Sequence, residues 1–589
     1  MNSWRRFNRY LYRHWKLQAV VIVLGLAATP LALLNPYIAK LIIDKAYVNR
    51  DLKAFFILAV ISGGIFIING LMNSLKGYLS RLINKNVGFD MSKDFFRHLQ
   101  NLPMSFFDNR STGEHIYRIR SDVNAVSGFV CDVIPQIVTL IPRIILILVI
   151  VFRLNWRLAL FAASLIPITY IRPYLFAKWE KEATQRRIER AQGFVKRLQE
   201  VFSHILLVKS MGKEKDEIER HEKGLRKKIG FELKREKISQ ISSLSGSLLG
   251  KIVTGLITLY GGYQVIKGSI TLGSLAAIMI YLRQFVGHLS SIGNLYQKIT
   301  VSSIMRNRLC EILDIKPDIY DAPDAVPRKI EKGRIDFRNI VFGYKKDTPV
   351  LRGINLSIPP GAKVALTGTS GNGKTTILSL LLRLYKQDKG SICIDGVDIE
   401  KMTLLFLKSQ IGIALQKPLL WNDTVADNIL YGAQEGCAHQ EIYKAARLAE
   451  ADDFIRGLPD GYNSVVGERG CKISGGQKQR LAIARALIRG PKILILDEAM
   501  SSVDSKTEER IIDNILNEFK ASTVITVSHR LSTVRKMDLV YFLRDGSTVN
   551  RGTHDELLDS DPHYKELFAG QIDDFADNKI LRADSFLDI

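Results

Sequence analysis

Cysteine is scarce in this chain of 589 residues, and its placement excludes two architectures. Cys131, Cys310, Cys393, Cys437 and Cys471 lie far apart, with no CxxC pair and no zinc-ligand spacing. Neither a disulfide framework nor a cysteine metal site is indicated, and the chain fits a reducing compartment. Acidic residues fall short of basic ones, 59 against 83, leaving a net charge of +24. No base-stacking aromatic platform accompanies the surplus cations, which speaks against a nucleic-acid binder. They cluster instead beside apolar spans, as on the cytosolic flanks of membrane proteins. No cleavable signal is expected either, because Met1 to Gln18 is basic and aromatic and no small-residue cleavage site follows. Residues 1–18 are expected to form an amphipathic helix at the cytosolic interface.

What is present falls into two unlike halves. Six apolar stretches, near 19–43, 55–75, 131–152, 158–177, 247–266 and 274–298, are long enough to cross a bilayer as helices. The connections after the first, third and fifth are short; those after the second and fourth, Lys76 to Val130 and Lys178 to Gln240, are long and charged. Amphipathic helices that extend beyond the membrane have this pattern. The soluble second half is expected in the cytosol, so an even number of crossings puts the amino terminus there too, and the basic linkers then obey the positive-inside rule.

No Asp or Glu occupies the middle of any span, yet four cations do: Arg143, Arg172, Lys251 and Arg283. Counted from the external ends, Arg143 and Arg283 lie about 15 Å deep and the other two about 21–24 Å deep. Charge at such depth faces a bundle interior or a wet cavity. With His288, which shares a helical face with Gln284 and Ser291, these cations are the candidate lining of a cavity for an anionic substrate. Snorkelling to headgroups is the blander reading.

The second half carries a phosphate-binding loop, Gly368-Thr369-Ser370-Gly371-Asn372-Gly373-Lys374-Thr375, between a buried-strand pattern (KVALT) and an apolar helix beginning at Thr376. Its glycines free backbone N–H groups to wrap phosphates, and the helix amino terminus adds positive dipole. Lys374 would reach the β- and γ-phosphates, and Thr375 would bind Mg²⁺. A second strand pattern, KILILD, ends at Asp497, which suits Mg²⁺, and Glu498 follows as candidate general base. Between them, Ser474-Gly475-Gly476-Gln477 opens a helix pattern and offers another backbone cradle.

At these residues the chain resembles the ATP-binding cassette family, specifically its exporter-type half-transporters, over roughly residues 5 to 570. The resemblance implies a six-helix membrane domain with long cytosolic extensions, followed by an α/β P-loop domain that hydrolyses ATP. It implies that Tyr344 stacks on adenine and that Gln416 links Mg²⁺ and water to the membrane domain. Ser474 to Gln477 would close on the γ-phosphate held by a second subunit. Asp504 would be the interface aspartate and His529 the switch histidine at the γ-phosphate. Val466 to Gly470 resembles an exporter-specific loop that touches the partner's coupling helices. The segments near 102–122 (with Glu114, Arg118 and Asp122) and 207–216 resemble the two cytosolic coupling loops, each holding a short docking helix. Departures are small: Ile473 for Leu, Met500 for Thr, Val503 for Leu, and Lys417 where an acid is frequent.

The domain plan expected is 1–18 interfacial helix, 19–310 membrane domain, 311–332 linker, 333–570 nucleotide-binding domain and 571–589 acidic, disordered tail. The function expected is ATP-driven transport, by export or lipid flipping, of an amphipathic and anionic substrate across a bacterial cytoplasmic membrane. Because Glu498 and Gly475-Gly476 are both intact, a homodimer would have two competent sites. With no peptidase domain before the first span, leader-peptide processing is not expected. A soluble P-loop ATPase, an ATP-gated channel and an importer of exporter-type fold are the alternatives.

Overall fold

Apolar runs of twenty residues leave too much hydrophobic surface for a soluble core, and the backbone answers with long helices whose hydrogen bonds are all internal. The computed structural model describes residues 2–108, 110, 112–164, 179, 182–183, 185–186, 191, 193–345, 347–434 and 436–571. The chain divides into two units, Met1–Leu102 with Phe107–Lys316, and Pro103–Phe106 with Pro317–Ile589.

The first unit, as described, is helical: α1 (Asn2–Arg13), α2 (Trp15–Tyr47), α3 (Leu52–Gln100), α4 (Gly113–Leu154), α5 (Trp156–Ser164), α6 (Glu214–Ile266) and α7 (Leu272–Leu313). Five of these, α2, α3, α4, α6 and α7, are long and apolar enough to cross a membrane. Of the expected fourth span, 158–177, only the start on α5 is described; Arg172 and residues 165–178 lie outside the described residues. The apolar window of α3 is wholly unburied, with Phe56, Val60, Phe66 and Leu71 exposed. Such a surface is stable only against lipid. At about 1.5 Å per residue, the 49 residues of α3 and 53 of α6 far exceed the roughly 30 Å of bilayer core. The surplus extends beyond the bilayer core, as the long linkers led one to expect.

The expected amphipathic first helix ends at Arg13, and its aromatic face is covered by protein. Phe7 is buried, the Trp4 ring lies 4.0 Å from that of Phe129, and Arg6 pairs with Asp314 at 2.9 Å. Within the bundle, Leu33, Ile147, Leu158, Ile257 and Ile278 form a common core. Tyr281 donates its hydroxyl hydrogen to the Leu33 carbonyl there, at 2.5 Å. Short helices occur at Met104–Asp108, within the segment 102–122, and at Ile205–Ser210, which overlaps the segment 207–216.

The second unit contains two sheets. One has the order β2 (Leu351–Ile358), β1 (Ile335–Phe342), β4 (Lys389–Ile394) and β5 (Val397–Asp398), all antiparallel. The turn between β4 and β5 is Asp395-Gly396, both at positive φ, as a two-residue hairpin requires. The other sheet runs β10 (Ser547–Gly552), β9 (Leu539–Arg544), β3 (Lys363–Thr367), β8 (Thr523–Val527), β7 (Ile493–Asp497) and β6 (Ile411–Ala414). Its members β9, β3, β8, β7 and β6 are parallel. Strands β3, β7 and β8 are buried along their whole length, which explains why they read as unbroken apolar runs. In such sheets ligands bind beyond the carboxyl ends of the strands, and Gly368, Glu498 and Ser528 stand there.

Candidate functional site

Strand β3 delivers the chain into the loop 368–373, and helix α8 (Lys374–Leu381) carries it away. Gly368 has φ +141°, and a Cβ there would sit 2.2 Å from the Leu543 carbonyl oxygen, so only glycine fits. Gly371 and Gly373 also have positive φ, which turns the loop's amides inward. Asn372 braces the loop by donating to Thr369 Oγ1 (2.8 Å) and to the Leu543 carbonyl (3.0 Å). Lys374 is 7 % exposed, and its ammonium donates to the carbonyls of Gly368 (2.7 Å) and Thr369 (2.9 Å). The loop thus stores its cation on its own backbone. Burial pulls the Lys374 pKa below the usual lysine range, against the attraction of Glu498 and Asp497.

Neighbouring β7 ends at Asp497, which is 3 % exposed and lies 3.4 Å from the Thr375 hydroxyl. Burial raises its pKa, aided by the Glu498 charge and opposed by the Thr375 hydrogen bond and by Lys374. Glu498 follows with φ +45°, a strained backbone for a side chain of this kind, costing about 1–3 kcal/mol. The strain is held in place by a hydrogen bond from Glu498 N to the Val527 carbonyl at 3.0 Å. One carboxylate oxygen of Glu498 accepts from Gln416 Nε2 at 2.5 Å, and the other lies 3.5 Å from His529 Nε2. Three residues separated by 82 and 31 positions therefore meet at one carboxylate. Burial, with the Lys374 charge adding to it, holds the His529 imidazole below the ordinary histidine range, while Glu498 opposes. A cavity of about 140 Å³ opens here, bounded by Glu498, Met500, Ser501, Val527, His529 and Arg530.

Tyr344 is 53 % exposed, held edge-on by Phe342 and Tyr385, with its hydroxyl 3.2 Å from Thr376 Oγ1. A half-open ring beside the loop is free to take a planar base on its face. Further along, Ser474 caps helix α9 (Gly475–Leu487) in a reciprocal box with Gln477: Gln477 N donates to Ser474 Oγ, and Ser474 N donates to Gln477 Oε1. A Cβ on Gly476 would lie 2.8 Å from the Ser502 carbonyl oxygen, so the glycine lets α9 approach the segment after Glu498. Asp504 accepts from Thr507 N at 3.0 Å and caps helix α10 (Ser505–Glu518). Motif residues read as ligand contacts thus also hold up their own helices.

Gln479 was not among the residues singled out by sequence. Buried on α9, it donates to Ser501 Oγ (2.8 Å) and accepts from Ser502 N (2.7 Å), tying the signature helix to the segment after Glu498. Nor was the buried Glu508, which pairs with Arg530 and accepts from Thr533 Oγ1 at 2.5 Å. Their only signal is polar identity at apolar helix positions.

In the first unit, Arg143 and His288 lie within electrostatic range of each other. The Arg143 guanidinium reaches Thr29 Oγ1 at 3.4 Å, His288 is half-buried, and Lys251 and Arg283 are exposed. A cavity of about 660 Å³ lies between residues 193–209 and 214–228, and none of Arg143, Lys251, Arg283 or His288 lines it. Arg118 and Asp122, read as loop residues, are buried in an ionic cluster: Arg118 with Glu114 at 2.6 Å and Glu311 at 3.4 Å, and Asp122 with Arg308 at 3.2 Å.

A P-loop ATPase fold joined in one chain to lipid-facing helices defines an ATP-hydrolysing membrane transporter. Comparison with known proteins agrees with that class. Residues 19–289 match the model of the ABC transporter transmembrane region, and residues 351–501 match the model described as ABC transporter. The "ATP-dependent lipid A-core flippase" of Syntrophus aciditrophicus is 36% identical over 574 residues, covering 96% of this chain and 94% of that protein. Its counterpart in Desulfotalea psychrophila is 33% identical, covering 93% and 95%. A solved structure of a bacterial Atm1-family ABC exporter with ATP bound superimposes with a TM-score of 0.87 at 28% identity, over 95% of this chain and 99% of that one. The chain belongs to the ABC transporter family, as a half-transporter with one transmembrane region and one nucleotide-binding domain. It is a multi-pass membrane protein that binds and hydrolyses ATP to drive export or flipping.

Proposed function

We propose that two copies of this chain work as a pair, moving an amphipathic lipid with an anionic headgroup across a bacterial cytoplasmic membrane. In this reading both nucleotide domains and both amino termini face the cytosol. The observation that carries the reading is the meeting of Gln416, Glu498 and His529 at one carboxylate beside the Lys374 loop. A chain that has kept this arrangement together with Gly475-Gly476 supplies both halves of a shared site, so an identical partner suffices. The lipid class rests on relatives named for lipid A-core flipping, which match along nearly the whole chain. The anionic headgroup rests on Arg143, Lys251 and Arg283 in otherwise apolar spans.

Phosphoryl transfer to water asks the protein mainly to position groups and to stabilise charge. Tyr344 stacks on adenine, and the amides of residues 369–376 wrap the phosphates. Lys374 exchanges the carbonyls of Gly368 and Thr369 for β- and γ-phosphate oxygens. Glu498 takes a proton from the attacking water, and Gln416 holds that water in line. His529 donates one ring hydrogen to the γ-phosphate. The partner subunit's Ser474 and Gly476 close the site from the other side. Thr375, Asp497 and Gln416 would hold Mg²⁺: hydroxyl, carboxylate and amide oxygens are the hard donors that ion takes. Bound there, it would neutralise charge on the phosphate oxygens. Closure then biases the long helices between two packings, a population shift set by ATP.

The test is ATPase activity of the protein in liposomes across a panel of anionic and neutral lipids and peptides, with Glu498→Gln as the blank. Anionic amphipathic lipids should stimulate hydrolysis. The double variant Arg143→Gln/Arg283→Gln should lose that stimulation and keep its basal rate. Equal rates with every lipid would sink the substrate class, and unchanged stimulation in the double variant would sink the role of the cations.

A further inference from the structure

The last described residues, 562–571, form a helix that is fastened to the second unit by two fully buried aromatic rings, Tyr564 and Phe568. Tyr564 packs edge-on to Phe542 of β9, and its hydroxyl lies 2.9 Å from His554 Nδ1. At the start of the helix, Asp561 accepts from the amides of His563 (2.9 Å) and Tyr564 (3.3 Å). A helix so capped and so buried is a rigid mount, and what it presents at its far end is Gln571.

The Gln571 amide is engaged at both ends. Its Nε2 donates to the His529 carbonyl at 2.8 Å, and its Oε1 accepts from Leu531 N at 2.9 Å. Those two groups flank Arg530 on the segment that leaves β8. Leu531 begins a helical turn, Leu531–Val534, so its N–H is one of the donors that a helix start leaves without an internal partner. From the other side Arg530 is held by Glu508 and by the carbonyls of Val503 and Ser501, each at 3.0 Å. The peptide bearing His529 is therefore gripped on both flanks, and its imidazole stands 3.5 Å from Glu498. Only a side chain with one donor and one acceptor in a plane can make the Gln571 pair, and among uncharged side chains of this reach that is glutamine.

We propose that Gln571 is a positioning residue for hydrolysis: it fixes the backbone of His529, and through it the imidazole, relative to Glu498 and the γ-phosphate. The carboxyl-terminal helix is then a working part of the ATP site. This rests on the role given to His529 above, and the experiment separates the two. Steady-state ATP hydrolysis and thermal unfolding are measured for the full chain in detergent or liposomes, comparing wild type, Gln571→Ala, Gln571→Glu, His529→Ala and the double variant Gln571→Ala/His529→Ala.

Gln571→Ala should lower kcat about tenfold with KM for ATP and the unfolding temperature little changed, and it should have no further effect in the His529→Ala background, the coupling expected of neighbours. Gln571→Glu has the same shape, keeps the acceptor for Leu531 and loses the donor to His529, so its kcat should fall between. It also decides the matter if the alanine variant unfolds early. A wild-type kcat in both Gln571 variants beside a slow His529→Ala overturns this proposal alone. An equal loss from Gln571→Ala with or without His529 also overturns it, because the glutamine would then act elsewhere. A wild-type rate in His529→Ala overturns the role of His529 itself, and this inference with it.

Discussion

The two units of this chain solve opposite problems with polar residues. In the nucleotide unit, chemistry gathers at strand ends: Gly368, Glu498 and Ser528 follow β3, β7 and β8, which the sheet sets side by side. Each functional group is fixed by a neighbour a few residues away or across one strand. In the membrane unit, beside local pairs such as Arg118 with Glu114, polar groups also pair between helices far apart in sequence, as Asp122 with Arg308 or Arg118 with Glu311. The first pattern makes a site that short motifs can encode. The second makes a scaffold whose polar contacts no short motif announces.

The sharpest way to break that contrast is to remove one atom's worth of chemistry from each unit. Glu498→Gln keeps the shape of the carboxylate and removes its ability to take a proton. Hydrolysis should fall by about 10²–10⁴-fold, the usual worth of a general base, while ATP binding persists. A filter-binding assay beside the turnover assay reads both, and near-normal turnover would mean that Glu498 is not the base. In the membrane unit the matching change is Arg308→Met, which leaves the fully buried Asp122 without its 3.2 Å partner. Stranding a buried charge costs about 3–5 kcal/mol, so the unfolding temperature should drop well before ATP affinity changes. An unchanged unfolding temperature would show that the cluster does not lock α4 to α7.

The same contrast explains what was legible in the sequence. The strand–loop–helix around Lys374 could be read because phosphate binding needs glycines at fixed spacing, and Gly368 indeed tolerates no Cβ beside Leu543. Long helices could be read because lipid demands unbroken apolar length. Gln479, Glu508 and Gln571 could not, since a hydrogen bond to a group 23 to 42 residues away leaves no periodic trace. Arg118 and Asp122 were noticed as family motif residues, but their burial against Arg308 and Glu311 depends on α7 lying beside α4, a tertiary fact. The basic and aromatic stretch 1–18 was expected to form an interfacial helix, and the structure has a helix over Asn2–Arg13. Periodicity could not say that Phe129 covers the ring of Trp4.

A smaller effect tests whether adenine contact is as local as the phosphate chemistry. Tyr344→Ala removes a ring whose only described hydroxyl partner is Thr376. Loss of base stacking is worth about 1–3 kcal/mol, so KM for ATP should rise roughly tenfold with kcat preserved. A fall in kcat with constant KM would instead mean that Tyr344 acts through Thr376 on the phosphate loop.

The mildest prediction concerns charge held by backbone alone, the nucleotide unit's cheapest form of local wiring. Asp395, in the β4–β5 turn, accepts from the amides of Glu331, Lys332 and Arg334 at 2.9–3.0 Å. Partial burial works against ionisation, but these donors prevail and hold its carboxyl below the usual range. A carboxylate with a depressed folded pKa stabilises the fold above its unfolded value, about 3.9, and that contribution disappears as pH falls through the lower, folded value. Asn tolerates the positive φ of this turn, so Asp395→Asn removes the charge and one acceptor oxygen without straining the backbone. The variant should be about 1 kcal/mol less stable at neutral pH, with the gap closing as the solution is acidified below the ordinary carboxylate range. A gap that stays constant into acid would mean the amides are bound for geometry and not for charge, and backbone wiring would then matter no more to this unit than to the membrane helices.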